Sequence, residues 1–285
     1  MRITTFYDHI TEMAEQESIS LTEALQKVYG IGIEGVEVIN MRRGSQNWVE
    51  MRSNLEKAGI YVSALCYFFD FNAESAEAQI ENALETAAVL SARHIMVVPG
   101  FYADGDSQRE KEEKMKKSIR WMRILSHEAE LQNISLIMEV FDDKNSLVAT
   151  SGGLKKKLEE IPSIGCAFDT GNFLYSEEDE LEAFEELKER ITYMHLKDRT
   201  FIEPVKGAKE KVTVSGRKMY ASPVGQGVIH MKEILSRLRE QGYDGPFAIE
   251  HYDAPNQWQY LKQSVAWLKE QMLEGFSFDS FKGAD

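Results

Sequence analysis

Four short apolar runs in the second half of the chain each end close to a side chain that can bind a metal ion. The runs are ISLIMEV, IGCAFD, ITYMHLKD and FAIE, and they carry Glu139, Asp169, His195 and Glu250 respectively. Each run has the composition of a β-strand, so the four side chains are expected to project from one rim of a single sheet. Three carboxylates and one imidazole form an oxygen-rich set that suits a hard or borderline divalent ion. The pattern therefore predicts a metal site.

Each of these four residue types also has an ordinary structural role. A buried glutamate can form a salt bridge, an aspartate can cap a helix, and a histidine in a strand can be a hydrogen-bonded core residue. Those roles would account for Glu139, Asp169, His195 or Glu250 taken singly. They do not account for four such residues at the same end of consecutive strands, and this coincidence favours metal binding.

Strand-like and helix-like patterns alternate along the whole chain. Earlier strands are predicted at 3–7, 35–39, 60–68 and 94–100, and the runs above complete a set of eight. Helices are predicted at 20–30, 48–59, 73–90, 109–132, 151–160, 177–189, 230–241 and 256–272, with Gly30 closing the first. Eight β-then-α units with nearly unbroken apolar strands indicate a parallel barrel whose catalytic groups come from the carboxyl ends of its strands. We predict an α/β fold, a single-domain (β/α)8 TIM barrel over residues 1–275, with a C-terminal tail at 276–285.

Composition narrows the functional classes. The formal net charge of −14 over 285 residues argues against nucleic-acid binding, which needs a cationic face. No apolar run reaches the roughly 18 residues of a membrane span, and the N-terminus turns acidic and polar too early for a signal peptide. The two cysteines, Cys66 and Cys166, lie in apolar runs and are expected to be buried free thiols. These features predict a cytoplasmic protein that binds neither nucleic acid nor a membrane.

One segment departs from the acidic average. Between Arg199 and Tyr220 there are six basic residues and two acidic ones. A solvated loop without a role is one interpretation. The other is a lid over the metal site, because loops of this length in a barrel often close over the active site. Its basic side chains would then neutralise a phosphate or carboxylate; they are Arg199, Lys206, Lys209, Lys211, Arg217 and Lys218.

Five motifs occur in an order and spacing that resembles the sugar phosphate isomerase/epimerase family, the barrels related to xylose isomerase and to the inosose dehydratase/isomerase group. The motifs are EVFDD, FDTGN, HLKD, PVGQG and GYDGPFAIE, and the resemblance runs from FYDHI to the final helix. It implies that Glu139, Asp169, His195 and Glu250 bind one divalent metal: manganese, magnesium, cobalt or zinc. It also implies a small carbohydrate substrate, which can be phosphorylated, and it is compatible with a homodimer.

The chemistry that the resemblance implies is isomerisation or epimerisation of a sugar or sugar phosphate. A metal that holds two adjacent oxygens of a hydroxy-ketone polarises the carbonyl and acidifies the neighbouring C–H. Glu139 and Glu250 would then remove and return a proton through an enediolate. Candidates for binding the substrate hydroxyls are Tyr7, His9, Tyr67, Asn172, Lys197, Asp198 and His251, of which Lys197 and Asp198 are favoured because they follow His195 closely.

Two positions depart from the keto-sugar 3-epimerases of this family. Asn172 stands where those enzymes usually have a histidine, and Phe201 stands where they often have an arginine. Both differences weaken a 3-epimerase assignment. A metal-dependent dehydratase of an inosose or a dehydroshikimate-like substrate therefore remains an alternative, and so does a non-catalytic sugar-binding barrel.

Overall fold

Eight parallel strands close into a barrel in the computed structural model, which describes residues 2–40 and 47–279, with side chains as far as residue 273. The barrel strands are β1 (Arg2–Phe6), β2 (Gly35–Ile39), β3 (Tyr61–Phe68), β4 (His94–Val98), β5 (Ser135–Met138), β6 (Ile164–Asp169), β7 (Ile191–Leu196) and β11 (Pro246–Ile249). Their order around the barrel is β1-β11-β7-β6-β5-β4-β3-β2. The predicted (β/α)8 TIM barrel is confirmed.

Helices cover the outside of the barrel. They are α1 (Tyr7–Glu17), α2 (Leu21–Ile31), α3 (Trp48–Lys57), α4 (Ala76–Leu90), α5 (Gln108–Leu131), α6 (Ser151–Glu160), α7 (Asn172–Tyr175), α8 (Glu180–Leu187), α9 (Met231–Glu240) and α10 (Gln257–Asp279), and a 3₁₀ turn (Lys188–Arg190) follows α8. In the part of the chain that the structure describes, no helix combines the length and the apolarity needed to cross a membrane.

Two apolar layers hold the barrel together. The larger lies between the strands and the helices, and the smaller fills the barrel interior with side chains such as Ala64, Met96 and Tyr193. Cys66 belongs to the interior layer and Cys166 to the outer one, and both are buried free thiols, as predicted. A filled interior confines the polar side chains to the carboxyl ends of the strands, where the loops leave room for them.

The basic segment after β7 folds into a small antiparallel sheet rather than a plain loop. Its strands are β8 (Asp198–Thr200), β9 (Lys211–Val212) and β10 (Lys218–Ser222), in the order β8-β10-β9. This sheet is separate from the barrel sheet. It starts two residues after the end of β7, so it lies at the carboxyl end of the barrel.

The first helical region differs from the prediction in two ways. Helix α1 was not predicted, although Ile10, Met13 and Ala14 form a buried helical stripe on it. The predicted end of the next helix at Gly30 is wrong, because α2 continues to Ile31 and closes at Gly32. Gly32 has a φ of 104°, a left-handed conformation that glycine adopts readily, and its N–H donates to the carbonyl of Tyr29. The predicted domain limit at residue 275 stays a prediction, since α10 extends to Asp279 and the rest of the tail lies outside the described residues.

Candidate functional site

The four predicted ligand residues meet at the carboxyl end of the barrel. Asp169 is the last residue of β6 and lies opposite His195 of β7 in the parallel register. Glu139 directly follows β5, and Glu250 directly follows β11. All four side chains are buried. The strand order β5-β6-β7-β11 places the two glutamates on either side of the aspartate and the histidine.

The carboxylates surround one nitrogen of the imidazole. Nδ1 of His195 lies 2.8 Å from Oε2 of Glu139, 3.5 Å from Oε2 of Glu250 and 3.9 Å from Oδ2 of Asp169. One ligand atom each from Glu139, Asp169 and His195 lies within 4.8 Å of the others. Because metal–ligand distances are about 2.0–2.6 Å, such a triad could bind one ion. Glu250 lies beside this triad with its Oε2, while its Oε1 pairs with the ammonium of Lys197.

The two carboxylate oxygens of Asp169 have different surroundings. Oδ1 accepts hydrogen bonds from the N–H groups of Gly171 at 2.8 Å and Asn172 at 3.0 Å. Oδ2 is buried and accepts no hydrogen bond from any described residue, although Nζ of Lys197 lies 3.0 Å away. A buried carboxylate oxygen without a hydrogen bond is costly. This geometry fits a metal ligand whose orientation is fixed by its second oxygen.

Glu37 was missed by the sequence analysis and completes the surroundings of the imidazole. It lies on β2, is fully buried, and has Oε1 at 3.0 Å from Nε2 of His195. The only signal for it in the sequence is a charged residue inside the apolar run GVEVI. A carboxylate beside Nε2 can accept the hydrogen of that nitrogen, so Nδ1 would be the nitrogen that faces a metal ion once it has lost its own proton.

Lys197 connects three of the buried polar groups. Its Nζ lies 2.5 Å from Oε1 of Glu250 and 3.0 Å from Oδ2 of Asp169, and it donates a hydrogen bond of 2.7 Å to Oδ1 of Asn172. Asn172 in turn donates to the carbonyl of Val140 at 2.8 Å. The ammonium group is therefore held at a fixed position beside the two carboxylates.

Burial and mutual charge shift the pKa values of the site. Burial raises the pKa of Glu250 to about 8, although Lys197 opposes this, and burial also raises the pKa of Glu139. Burial disfavours a charge on His195, but the carboxylates of Glu37 and Glu139 outweigh it and raise the pKa of the imidazole well above its usual value. Similarly, Asp169 and Glu250 overcome the effect of burial and raise the pKa of Lys197.

A cavity of about 390 Å³ opens onto this cluster. Glu139, Glu250 and Lys197 form part of its polar wall. A pocket of this size, with apolar side chains and eight charged ones among its fifteen lining residues, fits a small polar molecule. The remaining lining residues are Phe6, Asp8, Ile39, Cys66, Phe68, Met96, Phe141, Asp142, Arg199, Lys211, Tyr252 and Asp253.

Of the residues predicted to contact substrate, Lys197 lines the cavity, and Asn172 lies behind it as a hydrogen-bond partner. Asp198 does not line the cavity. Its buried carboxylate accepts hydrogen bonds from backbone N–H groups, at 2.8 Å from Arg199 and at 2.9 Å from each of Gly225 and Gly227. The side chain of Asp198 thus fastens the chain after β10 to the start of β8.

Four further candidates also lie outside the cavity lining. The N–H of His251 donates to Nε2 of His9 at 3.0 Å, and the side chain of His251 faces Gln257 and Ser264. The hydroxyl of Tyr67 donates to Asn82 at 3.1 Å. Tyr7 begins α1 and packs against the outer core. The metal-ligand candidates therefore lie together with Lys197 and Asn172. The cavity lining does not include Tyr7, His9, Tyr67, Asp198 or His251.

Comparison with known proteins identifies the family. Residues 25–271 match the sequence profile of the Xylose isomerase-like TIM barrel family. The chain belongs to this family. Among curated relatives of this xylose isomerase-like barrel is the inosose dehydratase of Lacticaseibacillus casei, which is 30% identical over 115 residues. That match spans 38% of each chain, so it covers little more than a third of the relative.

Solved structures resemble the xylose isomerase-like barrel over nearly its whole length. The probable 3-DHS dehydratase AsbF from Bacillus anthracis superimposes with a TM-score of 0.69 at 18% identity, covering 94% of this chain and 99% of that one. An L-ribulose 3-epimerase superimposes with a TM-score of 0.73 at 13% identity, covering 100% and 99%. At these identities the likeness establishes the fold alone. Of the two structures, one is a probable dehydratase and the other an epimerase.

Proposed function

We propose that the protein is a divalent-metal-dependent isomerase or epimerase of a sugar or sugar phosphate, which moves a proton at a carbon next to a carbonyl. The observation that carries this proposal is the placement of two carboxylates in one cavity. Glu139 and Glu250 both line it and approach Nδ1 of His195, to 2.8 and 3.5 Å, from strands separated by two others. Two bases on different sides of one substrate can remove a proton and return one.

The metal would be held by Glu139, Asp169 and His195, with Glu250 beside them. The buried Oδ2 of Asp169 supports this, since it accepts no hydrogen bond from a described residue and is compensated by the charge of Lys197 at 3.0 Å. Glu37 supports it as well, because its carboxylate beside Nε2 favours metal binding through Nδ1 of His195. An oxygen-rich set with one nitrogen suits manganese, magnesium, cobalt or zinc. When bound, such an ion would polarise the substrate carbonyl and acidify the neighbouring C–H.

The chain's own residues would handle the proton. Glu250 is the better-positioned base, because Lys197 holds Oε1 at 2.5 Å and leaves Oε2 facing the imidazole. Removing water from a carboxylate raises its affinity for protons, and burial raises the pKa of Glu250 to about 8, close to that of an effective general base. Glu139 would act from the other side of the cavity. The apolar part of the wall, which includes Phe6 and Phe68, would limit the access of water to the reacting carbon.

A dehydratase is the second candidate. Two observations favour it: the inosose dehydratase is a sequence relative, and the ammonium of Lys197 lies beside Glu250 inside the cavity wall. Elimination of water needs one base for the C–H and one acid for the leaving hydroxyl. Glu250 could remove the C–H proton while Lys197 holds the leaving hydroxyl by a hydrogen bond. Because the pKa of Lys197 is raised, the proton for that hydroxyl would come from Glu139, whose pKa burial also raises.

Incubation in D2O with Mg2+ or Mn2+ and a panel of ketoses, ketose phosphates and cyclitols would test the proposal. We expect metal-dependent deuterium uptake at carbon, measured by NMR and mass spectrometry. An unchanged product mass apart from deuterium identifies an isomerase or epimerase, whereas loss of water identifies a dehydratase. A non-catalytic sugar-binding barrel would bind a ligand and incorporate no deuterium.

Matched variants make this test specific. Glu250→Gln and Glu139→Gln should each abolish deuterium uptake, because an amide cannot accept the proton. Glu113→Gln is a suitable control, since Glu113 lies on the exposed face of α5 and pairs only with Arg109 among the described residues. Full activity in both active-site variants would refute the proposed roles, and absence of exchange with every compound would refute the proposed function.

A further inference from the structure

Arg199 is a nearly buried cation with few partners. It lies on β8, lines the cavity and is only 3% exposed. Its guanidinium donates no hydrogen bond to any residue that the structure describes, and its Nε is buried without a partner. The nearest carboxylate oxygen, Oδ2 of Asp142, is 3.7 Å away from Nη2, too far for a hydrogen bond. A guanidinium has five N–H donors, and leaving a buried one such as the Nε–H of Arg199 unpaired is costly.

Lys211 lies beside Arg199 and shares its only anionic neighbour among the described residues. The side chain comes from β9, lines the same cavity, and places Nζ 2.6 Å from Oδ2 of Asp142. Two cations thus face one carboxylate, which leaves an excess positive charge at this part of the cavity wall. The pKa of Asp142 agrees with this excess, because it is lowered in spite of burial by the charges of Lys197, Lys211 and Arg199.

The other basic residues of the segment 199–220 are directed elsewhere. Lys209 pairs with Asp253 at 2.6 Å, and Lys218 pairs with Glu210 at 2.7 Å. Arg217 packs over the ring of Phe201. None of these three cations, nor the exposed Lys206, lines the cavity. The small sheet therefore brings two of the six basic residues into the cavity.

We propose that Arg199 and Lys211 form an anion subsite, which binds a carboxylate or phosphate group of the substrate. The inference rests on the proposed function and narrows its substrate class to anionic hydroxy-ketones. The planar guanidinium matches two oxygens of an oxyanion at once, and the ammonium supplies a further charge. The oxyanion would satisfy the N–H donors of Arg199 that no described residue satisfies. Because Glu139 and Glu250 line the same cavity, one substrate can occupy both parts.

Anion binding can be measured without any turnover. Inorganic phosphate and acetate, as probes for the two kinds of oxyanion, would be titrated into the Mg2+-loaded protein by calorimetry. Arg199→Met should weaken binding of the preferred anion by about tenfold or more, as expected for the loss of hydrogen bonds from a charged donor. Lys211→Met should weaken it by about threefold or more. Lys206→Met is the matched control, and we expect no change.

Several results would overturn the subsite. One is an anion affinity that is the same in the original protein and in both variants. Another is a loss of anion affinity in Lys206→Met as large as that in the two variants, which would indicate a general effect of surface charge. Lys211→Met keeps the test decisive if Arg199→Met does not fold, because the side chain of Lys211 is 31% exposed. Phosphate affinity above acetate affinity would indicate a phosphate ester, and the reverse order a carboxylate.

Deuterium uptake separates failure of the subsite from failure of the proposed function. Exchange with neutral ketones alone, at the same rate in Arg199→Met, would overturn the subsite and leave the isomerase or epimerase standing. Loss of phosphate binding in the two variants, without exchange in any compound, would support the subsite and refute the proposed function. Exchange confined to anionic ketones and lost in Arg199→Met would support both.

Discussion

Replacing Lys197 with methionine should destabilise the metal-free protein far more than the metal-loaded protein. The ammonium lies 2.5 Å from Glu250 and 3.0 Å from Asp169, and its side chain is 5% exposed. Removing one partner of a buried ion pair costs about 3–5 kcal/mol, since the other charge stays buried. With an unfolding entropy of about 2.1 cal/mol/K per residue, a chain of this length should lose about 5–8 °C in Tm. Methionine fills the space of the lysine stem, so little of this loss would come from a cavity.

A bound divalent ion supplies the positive charge that the variant lacks. We therefore expect saturating Mg2+ to reduce the difference in Tm by about half or more. The difference should also depend on pH. Burial already raises the pKa of Glu250 to about 8, and loss of the ammonium would raise it further. The original protein and the variant would both keep a proton on folded Glu250 that the unfolded chain releases, so both should lose stability as the pH rises towards about 8. Above about pH 8 the original protein ionises Glu250 beside Lys197 while the variant does not, so the difference in stability should grow there.

Differential scanning calorimetry of metal-free and metal-loaded protein would measure these differences. Lys218→Met is the matched control, because Lys218 pairs with Glu210 at the surface with side chains 62% and 39% exposed. Such a surface pair contributes at most about 1 kcal/mol to the free energy of unfolding. The Tm difference between the control and the original protein should therefore be small and nearly the same with and without metal. A Tm loss in Lys197→Met that is the same with and without metal would refute the charge argument. A loss no larger than that of the control would refute it as well.

Three further predictions concern the same site. Asp169→Asn should weaken Mg2+ binding by about 100-fold or more in calorimetric titration, because the side chain loses the charge of Oδ2 while the fold is kept; unchanged affinity would exclude Asp169 as a ligand. Mg2+ affinity should rise by about tenfold or more per pH unit from about pH 6 to about pH 8, because Glu250, with a pKa of about 8, must lose a proton to face the ion and His195, whose pKa is raised, must lose one to bind it; a flat profile would contradict this. Gly171→Ala should lower stability by about 1–3 kcal/mol in thermal melts, because the new Cβ would lie 2.7 Å from the backbone oxygen of Lys197. Gly152→Ala, where nothing lies within 4 Å, should be neutral or stabilising, and an equal loss there would disprove the steric argument.

The barrel could be predicted from the sequence because its strands and helices have strongly different patterns. Buried parallel strands such as β6 are apolar up to their last residue, whereas α5 carries many charges and a capping box at Ser107. Helix α1 gave a weaker signal. It is short and mostly polar, and only the stripe at Ile10, Met13 and Ala14 marks its buried face. Patterns of this kind fix the type of an element better than its ends, as the shift from Gly30 to Gly32 illustrates.

The metal-ligand candidates could be found because ionisable residues at the ends of apolar runs are rare. Glu37 carries the same signal, but its run is only five residues long, and the register between β2 and β3 shifts between Val36 and Glu37. Such a shift changes which side chains point inward and has no mark in the sequence. Asp198 illustrates the opposite error. It was predicted to bind substrate because it follows His195 closely in the sequence, but its carboxylate accepts hydrogen bonds from backbone N–H groups instead.

The position of Arg199 in the cavity wall could not be predicted from the sequence either. The basic composition of residues 199–220 indicated an anion-binding segment, but not which cations reach the cavity. That selection follows from the antiparallel pairing of β8, β10 and β9, which faces Arg199 and Lys211 inward. Short strands of two to five residues have too little pattern to be recognised.

The independence of the small sheet has an evolutionary consequence. Strands β8, β9 and β10 hydrogen-bond to one another and not to the barrel strands, and the carboxylate of Asp198 fastens their two ends together. We expect insertions, deletions or recombination within residues 199–222 to leave the hydrogen bonds of the barrel ladder in place. They would remove contacts with the surrounding loops, such as the ion pair of Lys211 with Asp142 and the hydrogen bond from Thr213 to Glu177. A lineage could diversify the molecules it accepts by replacing this segment while it inherits the reaction chemistry unchanged. For the same reason, residues 199–222 are a natural unit for grafting between related barrels.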